Sequence, residues 1–350
     1  MNHRTMLVLL PLVLGACAGA QHRPESAGRA LTPVAESRRQ WTGVTTAGER
    51  IFVNFPRWSD DVPISVGELK DGGVAPWPDA TWNSWTPGAP ADGRFVAVQS
   101  VVAEGDSLWV VDTANPKFGG VVERGPRLFL FDVRTGDLQR EFAFGPEVVS
   151  RDSYLNDVRV DRARQTAYLT DSGAGGLVVV DLASGTARKV LADHPSTHAE
   201  TDHLEIDGHR FDRAVNADGI ALSPGAEWLY YAPLTGHTLW RVPTAALRDP
   251  EADPAARVER VRHIVATDGI LMAPDGNLYL GGLEDFSVYV LRPDGGYERL
   301  VHDRRLSWPD TFALDESGDL LVTTTQLQLP AGEQGPFGLW RIDLPARGAE

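Results

Sequence analysis

Apolar and polar positions alternate in short runs along most of the chain, and clusters of Gly, Pro, Asp, Asn and Ser separate the runs. This is the pattern of half-buried strands joined by turns, and no long helical periodicity competes with it. Residues 217–232 show the unit: a strand alternating through Ile220 and Leu222, a turn at Ser223-Pro224-Gly225, and an aromatic strand from Trp228 onward. The phrase recurs at 267–281, at 309–323, at 155–162 with 167–171, at 99–103 with 108–112, and at 42–46 with 51–55. Further strand-like runs follow at 127–133, 176–182, 238–243, 287–291 and 339–344, and short fourth ones at 187–191 and 298–301. Repeats spaced by roughly 40–60 residues mark a radial array. Six such units of four strands predict an all-β, six-bladed β-propeller. The last unit lacks an outer strand, and residues 31–36 are placed to supply it, closing the ring and hiding two edges. Pro33 is tolerable there because the outermost strand of a blade is an edge.

Aligning the six hairpins isolates one polar position before each inner strand: Thr42, Gln99, Asn156, Asp218, Asp268 and Asp310. In a propeller the inner strands line the axis, so these positions form a ring near its mouth. Carboxylates brought together there must raise their pKa values or share a cation. Hard oxygen donors suit Ca²⁺ or another divalent cation, and an organic ammonium meets the same electrostatic need. Asn156, Asp218 and Asp268 are candidate metal ligands, and Asp310 is a further ligand or a general base. The alternative is that each Asp-Gly is only a turn signal. Trp308 and Tyr154 lie near the same rim and could wall a pocket for a planar or cationic ligand. A separate stretch, 193–211, carries His194, His198, His203 and His209 among Asp202, Glu205 and Asp207. It reads as a solvated acidic loop, with metal binding as the alternative.

Composition narrows the partners. Thirty-three basic against 48 acidic residues give a net charge of −15, which repels nucleic acid and anionic membrane. The one cysteine, Cys17, excludes an internal disulfide. It follows a weakly basic start, an apolar run over 6–14 and Leu14-Gly15-Ala16, which resembles a bacterial lipobox. Residues 1–16 are therefore expected to be a lipoprotein-type signal peptide. Lipidated Cys17 and a flexible tether would occupy 17–30, and a monomeric propeller 31–345. The expected location is periplasmic, as an outer-membrane lipoprotein, or extracellular, with membrane contact only through the anchor.

Several phrases carry a family resemblance: Phe55-Pro-Arg-Trp58, Trp77-Pro78 with Trp82-Asn-Ser-Trp85, Leu155-Asn-Asp157, Tyr168-Leu-Thr-Asp-Ser172, His194-Pro-Ser-Thr197, Tyr231-Ala-Pro-Leu234 and Trp308-Pro-Asp-Thr-Phe312. Together they resemble the major royal jelly protein/yellow family, in its bacterial branch. The resemblance implies a six-bladed propeller. It does not imply one activity, since members are described as pigment-pathway proteins, nutritive secreted proteins and binders of biogenic amines. More distantly, the chain resembles the gluconolactonase/senescence-marker propellers, which hold a divalent metal with Glu, Asn, Asn and Asp. Those positions fall on Thr42, Asn156, Asp218 and Asp268, so Thr42 departs from the pattern. Three readings follow: a module binding a small cationic or aromatic ligand at the channel mouth, a metal-dependent lactonase or esterase, and an isomerase of oxidised catechols.

Overall fold

The computed structural model describes residues 29–122 and 124–344. The expected signal peptide and the lipobox around Cys17 lie outside the described residues. Six four-stranded antiparallel sheets follow one another around an axis. Their inner strands are Val44–Ala47, Val98–Glu104, Leu155–Asp161, Ala217–Leu222, Ile270–Met272 and Pro309–Leu314. The chain is a six-bladed β-propeller, as the repeat predicts.

The ring closes as expected. Strand Leu31–Ser37 pairs antiparallel with Phe337–Ile342 of blade six, with Leu31 opposite Ile342 at one end and Ser37 opposite Phe337 at the other. The ladder shifts between Pro33 and Ala35, so the proline sits beside an irregularity on an outermost strand. Across the joint, Trp41, Val44 and Val53 of blade one pack against Leu321, Phe337 and Leu339 of blade six.

The core lies between blades. Trp109, Leu128 and Phe142 of blade two, for example, meet Leu155, Val158 and Leu169 of blade three. No blade could bury both of its faces alone.

The 193–211 stretch corrects its sequence reading. It is a packed insertion holding a 3₁₀ turn, Pro195–Thr197, and a two-stranded hairpin of Leu204–Ile206 and His209–Phe211. Leu204 and Ile206 are buried in one cluster with Phe286, Leu306 and Trp308. The insertion therefore covers part of the face above blades five and six. Three of its four histidines have separate local partners: His194 bonds Ser196, His198 bonds the Ala192 carbonyl, and His203 bonds Asp202.

Candidate functional site

Four of the six ring positions lie where an inner strand loses register with its neighbour. The ladder shifts between Val98 and Ser100, between Leu155 and Val158, between Ala217 and Ile220, and between Pro309 and Phe312. Gln99, Asn156, Asp218 and Asp310 are thus bulge residues, and a bulge re-aims a side chain that strict alternation would send elsewhere. Asp268 stands just before its strand, Ile270–Met272.

The glycines after two of the aspartates are not turn glycines. A Cβ on Gly219 would lie 2.3 Å from the Asp268 carbonyl oxygen, and one on Gly269 would lie 1.9 Å from that of Asp310. Each glycine lets the inner strands of neighbouring blades come close. That approach brings Asp218, Asp268 and Asp310 together.

All three carboxylates are buried and line the floor of a cavity of about 930 Å³. Among the described residues, their side-chain hydrogen-bond donors are neutral. Asn156 Nδ2 donates to Asp218 at 2.6 Å, Trp308 Nε1 donates to Asp268 at 2.7 Å, and Thr311 Oγ1 donates to Asp310 at 3.0 Å. Burial raises the pKa of all three, Asp268 to about 6 and the other two well above the ordinary carboxylate range. The Asp268 charge adds to the shift at both Asp218 and Asp310. The three therefore titrate as a set. Below the floor, Arg159 pairs with Asp157 at 2.8 Å and reaches the Ile270 carbonyl at 3.1 Å, crossing from blade three to blade five. This arginine is tied to a fourth carboxylate on the far side of the ring residues.

One wall is aromatic. Trp58 stacks on Phe118 at 5.9 Å, and Phe118 stacks on Tyr154 at 5.0 Å. Trp58 Nε1 donates to the Tyr154 hydroxyl at 2.7 Å, which donates to Gln99 Oε1 at 2.8 Å. Burial lifts the Tyr154 phenol well above its ordinary pKa, with Asp218 and Asp310 adding to the shift, so it stays neutral. Trp308 is fully buried with φ of 62°, a left-handed conformation that few bulky residues adopt. Phe211 of the insertion covers it edge-on at 4.8 Å. Trp308 is thus a support behind Asp268 rather than an open wall.

The structure brings Tyr154, Asn156, Asp218, Asp268 and Asp310 to one cavity and leaves Thr42 out of it. The Thr42 hydroxyl donates to the Gln99 carbonyl and accepts from Asn54 Nδ2 at 2.8 Å, inside the joint between blades one and two. Sequence reasoning missed Phe118, Arg213 and Gln328. Phe118 follows a non-glycine residue that, like itself, has positive φ, and it is 48% exposed. Gln328 is buried on the loop after blade six's second strand. Neither position falls in the repeat that reveals the ring.

A closed ring of six four-stranded blades, with a cavity of acidic floor and one aromatic wall at its axis, defines the class: a six-bladed β-propeller. Within that class, the family model for the major royal jelly protein matches residues 96–329, and the chain belongs to that family. It is 25% identical over 254 residues to major royal jelly protein 3 of Apis mellifera, covering 67% of this chain and 45% of the relative. It is 28% identical over 229 residues to protein yellow of Drosophila melanogaster, covering 59% of this chain and 41% of the relative. The matched stretch thus spans less than half of either relative. Among solved structures, a gluconolactonase from Xanthomonas campestris aligns with TM-score 0.56 at 16% identity, covering 91% of this chain and 90% of that one. A calcium-binding protein, regucalcin, from Agrobacterium tumefaciens aligns with TM-score 0.54 at 15% identity, covering 90% and 94%. Both share the fold with this chain.

Proposed function

We propose that this protein binds a small organic cation with an aromatic body at the axial cavity. The observation that supports the reading is a floor of three buried carboxylates whose hydrogen-bond donors are all neutral, beside the Trp58–Phe118–Tyr154 stack. Buried charges call for a compensating charge, and an ammonium over aromatic faces supplies one. Titration calorimetry at pH 8 with 2-phenylethylamine and its neutral analogue 2-phenylethanol tests this. The amine is expected to bind at least about tenfold more tightly, the size of one desolvated charge interaction. Equal affinity for the two, or none for either, ends the reading.

A metal-dependent hydrolase would use Asn156, Asp218, Asp268 and Asp310 to hold its cation. Their present hydrogen bonds weigh against that role. Asn156 turns its amide nitrogen toward Asp218, one Asp268 oxygen is taken by Trp308, and Thr42 faces the blade joint. Among the described residues, no group of three His, Cys, Asp or Glu side chains is arranged to hold a metal ion. Thermal unfolding with Ca²⁺ and with EDTA is expected to coincide. A stabilisation by Ca²⁺ that Asp268→Asn abolishes would reverse the order of the two readings. Isomerisation of oxidised catechols rests on kinship alone.

We further infer export, with Cys17 as the lipid-bearing residue, from the pattern of residues 1–17. Metabolic labelling with a palmitate analogue is expected to mark the full chain and to miss Cys17→Ser.

A further inference from the structure

Around the cavity, the polar groups change character from floor to flank. The floor offers acceptors. These are the carboxylates of Asp218, Asp268 and Asp310. The flank offers donors. Arg213 lies over the Phe118 ring at 5.0 Å, and among the described residues neither Arg213 nor Arg151 has an ion-pair partner. The two guanidinium side chains line a second cavity of about 450 Å³, which shares Phe118, Tyr154, Ser172, Arg213 and Val215 with the first. Asp152 also lines it, so the flank carries one more positive than negative side chain. Gly120 shapes the flank: a Cβ there would lie 3.0 Å from Arg151 Nε. Tyr154 stands between the two ends, within the fields of Asp218 and Asp310 and of Arg213.

We propose that the two cavities form one bipartite site for an amphoteric aromatic amine. Its primary ammonium is held by the carboxylates, its ring lies along Phe118 and Tyr154, and its anionic end meets Arg213 and Arg151. This rests on the amine reading above and adds the second charge. An α-amino acid is the wrong shape, because its two charges share one carbon. The ligand class is one whose charges flank the ring. A guanidinium with no carboxylate partner suits a planar anion such as carboxylate, which it grips with two parallel N–H groups.

The test uses the full chain and two probes, 2-phenylethylamine and 4-(2-aminoethyl)benzoate, by calorimetry at pH 8 in low salt. The benzoate is expected to bind about fivefold more tightly than the amine, the size of a partly exposed charged contact. In Arg213→Gln the two probes are expected to bind alike, Arg213→Lys should keep part of the preference, and 1 M salt should erase most of it. Equal binding of both probes to the wild type overturns the anionic subsite and leaves the amine reading standing. So does a preference that survives Arg213→Gln combined with Arg151→Gln. No binding of either probe overturns both.

Discussion

At the floor of the cavity, Asp268 accepts a hydrogen bond from a fully buried tryptophan and acts electrostatically on a buried aspartate in each neighbouring blade. Burial lifts its folded pKa to about 6, against roughly 3.9 in an unfolded chain. The folded state thus holds this proton more tightly. The stabilisation is full below about pH 4 and is lost as pH rises through about 6. Asp218 and Asp310 shift in the same direction and add to the loss. Asp268→Asn keeps an oxygen for Trp308 and removes the charge. Urea midpoints should show the variant more stable than the wild type by about 1–3 kcal/mol at pH 8, with the difference vanishing near pH 4. A variant weaker than the wild type at pH 8 would show that a cation already sits on the floor. Thr42 gives the opposite case. Its hydroxyl joins blades one and two, so Thr42→Val should cost about 1–2 kcal/mol in the same measurement. The affinity for 2-phenylethylamine should stay unchanged. A loss of affinity would place Thr42 back in the ring.

The strands and their order were legible because each blade repeats the same alternation, and the repeat also located the ring positions. The direction of the side chains was not legible. A strand read by strict alternation points Asn156 and Asp218 to a face fixed by their neighbours, and bulges at Leu155/Val158 and Ala217/Ile220 break that rule. Nor does the Asp-Gly pairing disclose its cause, since a close approach between blades and a turn select the same residue. The hairpin ending at Phe211 was missed because its strands are three residues each, below the length at which alternation is readable. The closing strand was legible, and its role is testable. Without Leu31–Ser37, the last strand of blade six, Phe337–Ile342, becomes an open edge. Deleting residues 31–37 should lower the melting temperature by about 5 °C or more and produce oligomers on size exclusion, because an unpaired strand templates pairing with another chain. A monomer with unchanged melting temperature would mean that the ring holds without its strap.

Across the whole molecule, acidity works at two ranges. The net charge of −15 draws cations toward the surface, and salt screens that attraction over about 10 Å at 0.1 M. The three floor carboxylates act at contact, where water is scarce and screening is weak. Their raised pKa values mean that the floor keeps protons to higher pH than ordinary carboxylates do, and an arriving ammonium displaces those protons to find charge. Binding is therefore coupled to proton release, and the sign follows from the direction of the shifts. Affinity for 2-phenylethylamine should rise between pH 5 and pH 8, by up to about tenfold for each proton displaced per pH unit. Calorimetry in two buffers of different ionisation enthalpy should give binding heats that differ in proportion to the protons released. Asp268→Asn should shrink both the pH slope and the buffer dependence. Because the coupling is local, 1 M salt should slow association while leaving the pH slope in place. A slope that salt abolishes would assign the attraction to the surface charge and leave the buried floor without a part in binding.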